Sequence, residues 1–133
     1  MKGFILKASY RYGITLKVTD GFRTVAEQDD LYAQGRTKPG NRVTNAKGGD
    51  SNHNFGLAID VVPMVANGKG KLVPDWESTN FPLIGRIGQS VGLEWGGGWT
   101  KLVDMPHFQN LKGQNLKELK KLEKDANGLP IIK

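Results

Sequence analysis

SNHNFGLAID, running from Ser51 to Asp60, places a carboxylate inside the apolar run LAIDVV. An unpaired charge in an apolar setting is costly, so Asp60, between Ile59 and Val61, needs a cation or a cage of hydrogen bonds. The same stretch holds His53, one of the two histidines in the chain. His53 and Asp60 are an odd number of residues apart and on one straight strand would face opposite ways. The backbone therefore turns between them, and Gly56 is placed for that turn. Leu57 to Val62 reads as a strand in which Ala58, Asp60 and Val62 share a face, the small Ala58 leaving room for an ion. Taken alone, the stretch fits equally well a surface histidine near a loop and an aspartate capping a neighbouring backbone N–H.

The remaining histidine lies in DMPHFQ, where Asp104 precedes His107 by three residues. Two histidines and a carboxylate are a familiar catalytic zinc set, with the fourth position left to water, and His53, Asp60 and His107 would complete one. Asp104 is then a spare carboxylate able to serve as general base. Pro106 disfavours helix at Met105, so DMPH reads as a tight extended turn with His107 entering a strand.

The pattern S-x-H-x-x-G-x-A-x-D followed by D-x-x-H resembles the zinc peptidases of the D-alanyl-D-alanine carboxypeptidase family (peptidase family M15). Within it the chain is most similar to the L-alanyl-D-glutamate endopeptidases, which include bacteriophage endolysins. GFRTVAEQDDLYAQGRT from Gly21 and GLEWGGGWTKLVDMPHFQ from Gly92 fit as well, so the resemblance spans most of the chain. It implies zinc as cofactor on His53, Asp60 and His107, with Asp104 and Arg23 as catalytic residues. Ser51, Gln28 and Trp95 are the substrate-binding residues it implies, Ser51 through a substrate carboxylate. Read without the family, Arg23 is a surface cation and Gln28 an ordinary helix residue. The resemblance also implies hydrolysis of the stem peptides of peptidoglycan, at the bond between L-alanine and D-glutamate. A D,D-carboxypeptidase acting on terminal D-Ala-D-Ala and a non-catalytic wall-binding module are the rivals. Asp rather than Glu before the second histidine leans toward the endopeptidase, and an intact Asp104 argues against the module. These enzymes commonly carry an Asp where this chain has Gly98, which bears on substrate preference and removes no metal ligand.

The 133 residues suit one domain, residues 1–133, expected as a monomer. No stretch approaches the roughly 20 apolar residues of a membrane helix, so no membrane insertion is expected. The N-terminus, MKGFILKASYRYG, is no convincing secretory signal. The expectation is a protein made in the cytoplasm that acts on the cell wall after release or by another export route. There are no cysteines, which excludes disulfides and Cys-ligated zinc. A net charge of +6 favours anionic partners. No nucleic-acid motif or aromatic-interleaved basic stripe accompanies it, so no nucleic acid is expected.

Phe4, Ile5, Ala8 and Tyr12 recur at helical spacing before Gly13. ITLKVTD alternates, with Ile14, Leu16 and Val18 predicted to face the core. Thr24 and Glu27 form a capping-box pair opening a helix through Gln34, closed by Gly35, with Leu31 and Tyr32 buried. RTKPGNRVTNAKGGD, residues 36–50, reads as a long loop. VANGKGKLVPDW suggests a hairpin with its turn at Gly68 to Gly70. Leu83, Ile84, Ile87 and Val91 mark a helix ending at Gly92, and Leu93 to Trp95 a strand. Leucines 116, 119 and 122 mark a surface helix from Asn115 closed by Gly128. The mixed order predicts an α+β fold, a mainly antiparallel sheet with flanking helices; the resemblance implies the same compact architecture, a Hedgehog/D,D-peptidase-like zinc fold.

Overall fold

In the computed structural model, which describes residues 2–131, the LAIDVV run enters strand β2 (Ala58–Ala66) at Ala58. The other strands are β1 (Leu16–Asp20), β3 (Leu72–Pro74), β4 (Glu94–Trp95) and β5 (His107–Gln109). Among the described residues they run in the order β1-β2-β5-β4, with β3 paired to β2. The pairings β1 with β2, β2 with β3 and β4 with β5 are antiparallel. Helices α1 (Lys2–Tyr12), α2 (Val25–Ala33), α3 (Phe81–Ser90) and α4 (Leu116–Lys120) complete the α+β fold. None of the described helices is long and apolar enough to cross a membrane.

Helix α1, strand β1 and Ile59–Asn110 belong to one compact unit. Its core joins Phe4 and Ala8 of α1 to Ile14, Leu16, Val61, Leu93 and Phe108, with Ile84 and Ile87 supplied by α3. The Phe4 and Phe108 rings meet at 4.5 Å between centroids. Two glycines let aromatic rings lie directly on α3. A Cβ at Gly88 would stand 2.5 Å from the Phe108 ring, and one at Gly85 2.3 Å from the Trp95 ring. Trp95 is thereby packed against the core, and its Nε1 donates to the Met105 carbonyl at 2.7 Å.

The second unit is built from Gly21–Ala58 and the chain from Leu111 onward. Thr24 and Glu27 cap α2 reciprocally, and the Thr24 backbone N–H holds the Glu27 carboxyl below its ordinary range. The irregular stretch 36–50 is tied down by Arg36, whose Nη1 donates to the carbonyls of Tyr32 and Thr44. Its guanidinium lies 3.8 Å from the centre of the Tyr32 ring. Gly56 adopts φ +69°, and a Cβ there would stand 2.6 Å from the Leu129 side chain, so both backbone and packing demand glycine.

Several elements differ from the sequence expectation. Val18 is exposed although it alternates in register with buried Leu16, and the β1–β2 register shifts just beyond it, between Val18 and Asp20. On α2 the buried residue is Gln28, while Leu31 and Tyr32 are only partly covered. Val91 falls at the C-cap of α3 and is exposed, since the helix ends at Ser90. The last helix stops at Lys120, far short of Gly128. Asp125 Oδ1 accepts from the N–H groups of Asn127 and Leu129, and these local bonds build a turn where further helix was expected.

Gly88→Ala sets two effects against each other. Alanine gains about 1 kcal/mol in helix propensity, but overpacking against a buried ring costs about 1–3 kcal/mol. The clash with Phe108 should win, and urea unfolding should show a net loss of stability. A stabilised variant would mean that the ring can retreat from α3.

Candidate metal centre and active site

Strand β5 sorts its side chains by alternation: Phe108 enters the core, while His107 and Gln109 share the opposite face. All three are buried. His107 Nδ1 lies 3.2 Å from Asp60 Oδ1, and His107 Nε2 lies 2.8 Å from Gln109 Oε1. The apolar run on β2 thus gives its carboxylate an imidazole partner. Burial by itself disfavours the charged form of His107. The hydrogen bonds to Asp60 and Gln109, with the negative charges of Asp60 and Asp104, outweigh it and hold the histidine above its ordinary pKa.

The turn ahead of His107 is anchored at several points. The Val61 N–H donates to the Pro106 carbonyl at 3.0 Å, the Asp104 N–H to Gly96 O at 3.0 Å, and the His107 N–H to Asp104 O at 3.2 Å. A Cβ at Gly96 would stand 2.4 Å from Asp104 O, so glycine is what allows this approach. Asp104 itself is exposed.

His53 sits in a single 3-10 turn, Asn52–Phe55, capped by Ser51 and ended by Gly56 in the left-handed region. The Ser51 hydroxyl accepts from the His53 N–H at 3.3 Å. Its oxygen is therefore engaged in holding the turn. His53 Nδ1 lies 2.9 Å from the Gly21 carbonyl. A carbonyl only accepts, so Nδ1 carries the proton and Nε2 keeps the lone pair that a metal needs. The Arg23 N–H donates to His53 O at 2.9 Å. Buried Asn54 donates to the carbonyls of Arg23 and Thr24, and its Oδ1 accepts from the N–H groups of Gly49 and Ser51.

Arg23 Nη1 donates to Gln28 Oε1 at 2.7 Å. Gln28 is fully buried, and its Nε2 donates to Ala46 O at 2.7 Å and to Thr44 Oγ1 at 3.4 Å. These bonds leave the amide oxygen toward Arg23, so Gln28 orients the guanidinium. Trp95, with its ring on α3, likewise supports the Met105 carbonyl of the 104–107 turn. Sequence reasoning missed Asn54, Glu94, Trp99 and Gln109. Gln109 had a signal, since two residues beyond His107 on a strand means the same face.

Asp60 and His107, paired across β2 and β5, and His53 on its 3-10 turn each offer a ligand atom. Two imidazole nitrogens and one carboxylate oxygen match the donor set of catalytic zinc.

A family described as D-alanyl-D-alanine carboxypeptidase matches residues 44–110, which include all three of these residues and Asp104. A curated relative, the peptidoglycan L-alanyl-D-glutamate endopeptidase CwlK of Bacillus subtilis (strain 168), is 41% identical over 109 residues. The chain belongs to the D-alanyl-D-alanine carboxypeptidase family. The match to the relative covers 77% of this chain and 64% of that protein, so the chain spans somewhat less than two thirds of its length. Among solved structures, the L-Ala D-Glu endopeptidase ChiX of Serratia marcescens is similar with a TM-score of 0.53 and 30% identity. That likeness covers 79% of this chain and 74% of the other and bears out the mainly antiparallel α+β fold.

Asn54 tests how the His53 turn is held. Asn54→Ala should cost about 1–3 kcal/mol by leaving buried backbone groups unpaired. Asn54→Asp should cost more, because it turns a carboxylate oxygen toward two carbonyls. Denaturant midpoints check the order, and an aspartate variant as stable as wild type would refute it.

Proposed function

We propose that this chain is a zinc-dependent peptidoglycan peptidase that cleaves the stem peptide between L-alanine and D-glutamate. The observation that carries the reading is the His53, Asp60 and His107 donor set, with the anchored turn of Asp104 leading into His107. The endopeptidase names of the two relatives support the choice of bond.

His53, Asp60 and His107 would hold the metal, His53 through the nitrogen left by its bond to Gly21. When bound, zinc supplies the Lewis acidity that makes a water nucleophilic at neutral pH. Asp104 is the general base: its carboxylate takes the water's proton and passes it to the leaving amine. Arg23, held by Gln28, donates to the substrate carbonyl oxygen as negative charge develops there, or to a substrate carboxylate. Ser51 would meet a substrate carboxylate only by giving up part of its capping role, so its contribution is mainly to orient His53.

The family description favours a second reading, removal of the terminal D-alanine by the same chemistry. Digestion of purified peptidoglycan separates the two. New D-glutamate amino termini and L-alanine carboxyl termini, found by mass spectrometry, are expected. Release of free D-alanine alone would give the reaction to the carboxypeptidase.

The two aspartates should fail in different ways. Asp104→Asn should keep zinc and stability yet lose most hydrolysis, since an amide cannot take up the proton. Asp60→Asn should lose zinc. Elemental analysis beside the digestion assay checks both, and an active Asp104→Asn enzyme would remove that residue from the mechanism. Arg23→Ala should retain fold and zinc while turnover falls by about 10²–10³. Near wild-type turnover would return Arg23 to a plain surface cation.

A further inference from the structure

Strands β4 and β5 place Glu94 directly opposite Gln109. Gln109 Nε2 donates to Glu94 Oε2 at 2.8 Å, and the same oxygen accepts from Trp99 Nε1 at 3.0 Å. The Trp99 ring in turn lies against His107, with centroids 5.3 Å apart. A polar chain therefore runs from exposed Glu94 through buried Gln109 to His107 and ends on Asp60.

The chemistry of these groups leaves one arrangement. An ionised carboxylate can only accept, so the end of the Gln109 amide facing Glu94 must be its NH2. The end facing His107 is then the oxygen, which also only accepts, so His107 Nε2 must carry a proton. A neutral imidazole has a single N–H, and its lone pair then lies on Nδ1, the nitrogen that faces Asp60. We infer that Glu94, acting through Gln109, is a positioning residue that sets the tautomer of His107 and so selects Nδ1 as its metal-binding atom. This rests on the reading of His107 as a zinc ligand. Glu94 and Gln109 do not touch the metal; outer partners of this kind typically change metal affinity by about 10–100-fold when removed.

The relay predicts a reversal that simple packing does not. In Glu94→Gln the single amide oxygen is the one acceptor left at that side chain for both Trp99 Nε1–H and Gln109, so Gln109 is no longer held in one orientation by a carboxylate and His107 loses its tautomer preference. In the double variant Glu94→Gln, Gln109→Glu, the carboxylate sits beside His107 and accepts from Nε2–H directly, while the amide at position 94 donates to it through its NH2 and keeps its oxygen for Trp99. The polarity of the chain is restored with its members exchanged.

Long-range ¹H–¹⁵N spectra of the metal-free protein at mildly alkaline pH read the tautomer, and titration against a competing chelator reads zinc affinity. Wild type should show His107 protonated at Nε2. Glu94→Gln should show mixed tautomers and zinc affinity lower by about tenfold or more. The double variant should recover the Nε2–H tautomer and most of the affinity. A wild-type His107 protonated at Nδ1, or a Glu94→Gln protein unchanged in both readouts, would overturn the inference. So would a double variant no better than the single one. If wild type takes up no zinc, the functional reading fails, while the spectra of the metal-free protein still decide whether Glu94 sets the tautomer.

Discussion

The bond between Asp60 and His107 is the interaction on which the rest of this architecture depends. It joins β2 to β5 through a partly covered carboxylate and a buried imidazole 3.2 Å apart. Each group serves as the other's partner, and an unpaired buried charge or polar group costs far more than the pair returns. Pairing makes the position acceptable, and it sets a carboxylate oxygen and an imidazole nitrogen side by side, two of the donor types that a metal takes. The charge that looks misplaced in LAIDVV thus has its partner on the neighbouring strand β5.

Much of the rigidity around these groups comes from side-chain amides, whose two ends differ while their shapes match. Gln28, Asn54 and Gln109 are all buried, and each has one end committed to a partner of a single kind. Gln28 donates to the Ala46 carbonyl, Asn54 to the carbonyls of Arg23 and Thr24, and Gln109 to the Glu94 carboxylate. The amide oxygen is thereby delivered in turn to Arg23, to backbone N–H groups of the His53 turn, and to His107. Neutral groups do this at low desolvation cost, and among the described residues no buried side-chain nitrogen or oxygen lacks a hydrogen-bond partner.

Glycine does the complementary work of bringing backbone and rings close. Gly96 lets the Asp104 carbonyl approach, Gly88 receives Phe108, and Gly85 receives Trp95. Phe108 packing on α3 fixes β5 from its core side, and alternation then delivers His107 and Gln109 to the opposite face. A core contact and the placement of a candidate metal ligand are thus two consequences of one strand.

The sequence by itself determined the candidate metal set, the turn at Gly56, the capping box at Thr24 and the mixed α+β order. Each of these is written in local chemistry: a charge in an apolar run, a glycine with φ above zero, a hydroxyl three residues before a carboxylate. Tertiary structure alone decided that Gln28 is buried behind Arg23, that Trp95 lies on α3, and that Gln109 and Glu94 connect to His107. It also ended the last helix at Lys120 and turned Val18 outward. These facts depend on which residues meet across strands and loops far apart in the chain. A glutamine or tryptophan has the same local propensity whether it faces solvent, substrate or another side chain, and only the packed partner tells them apart.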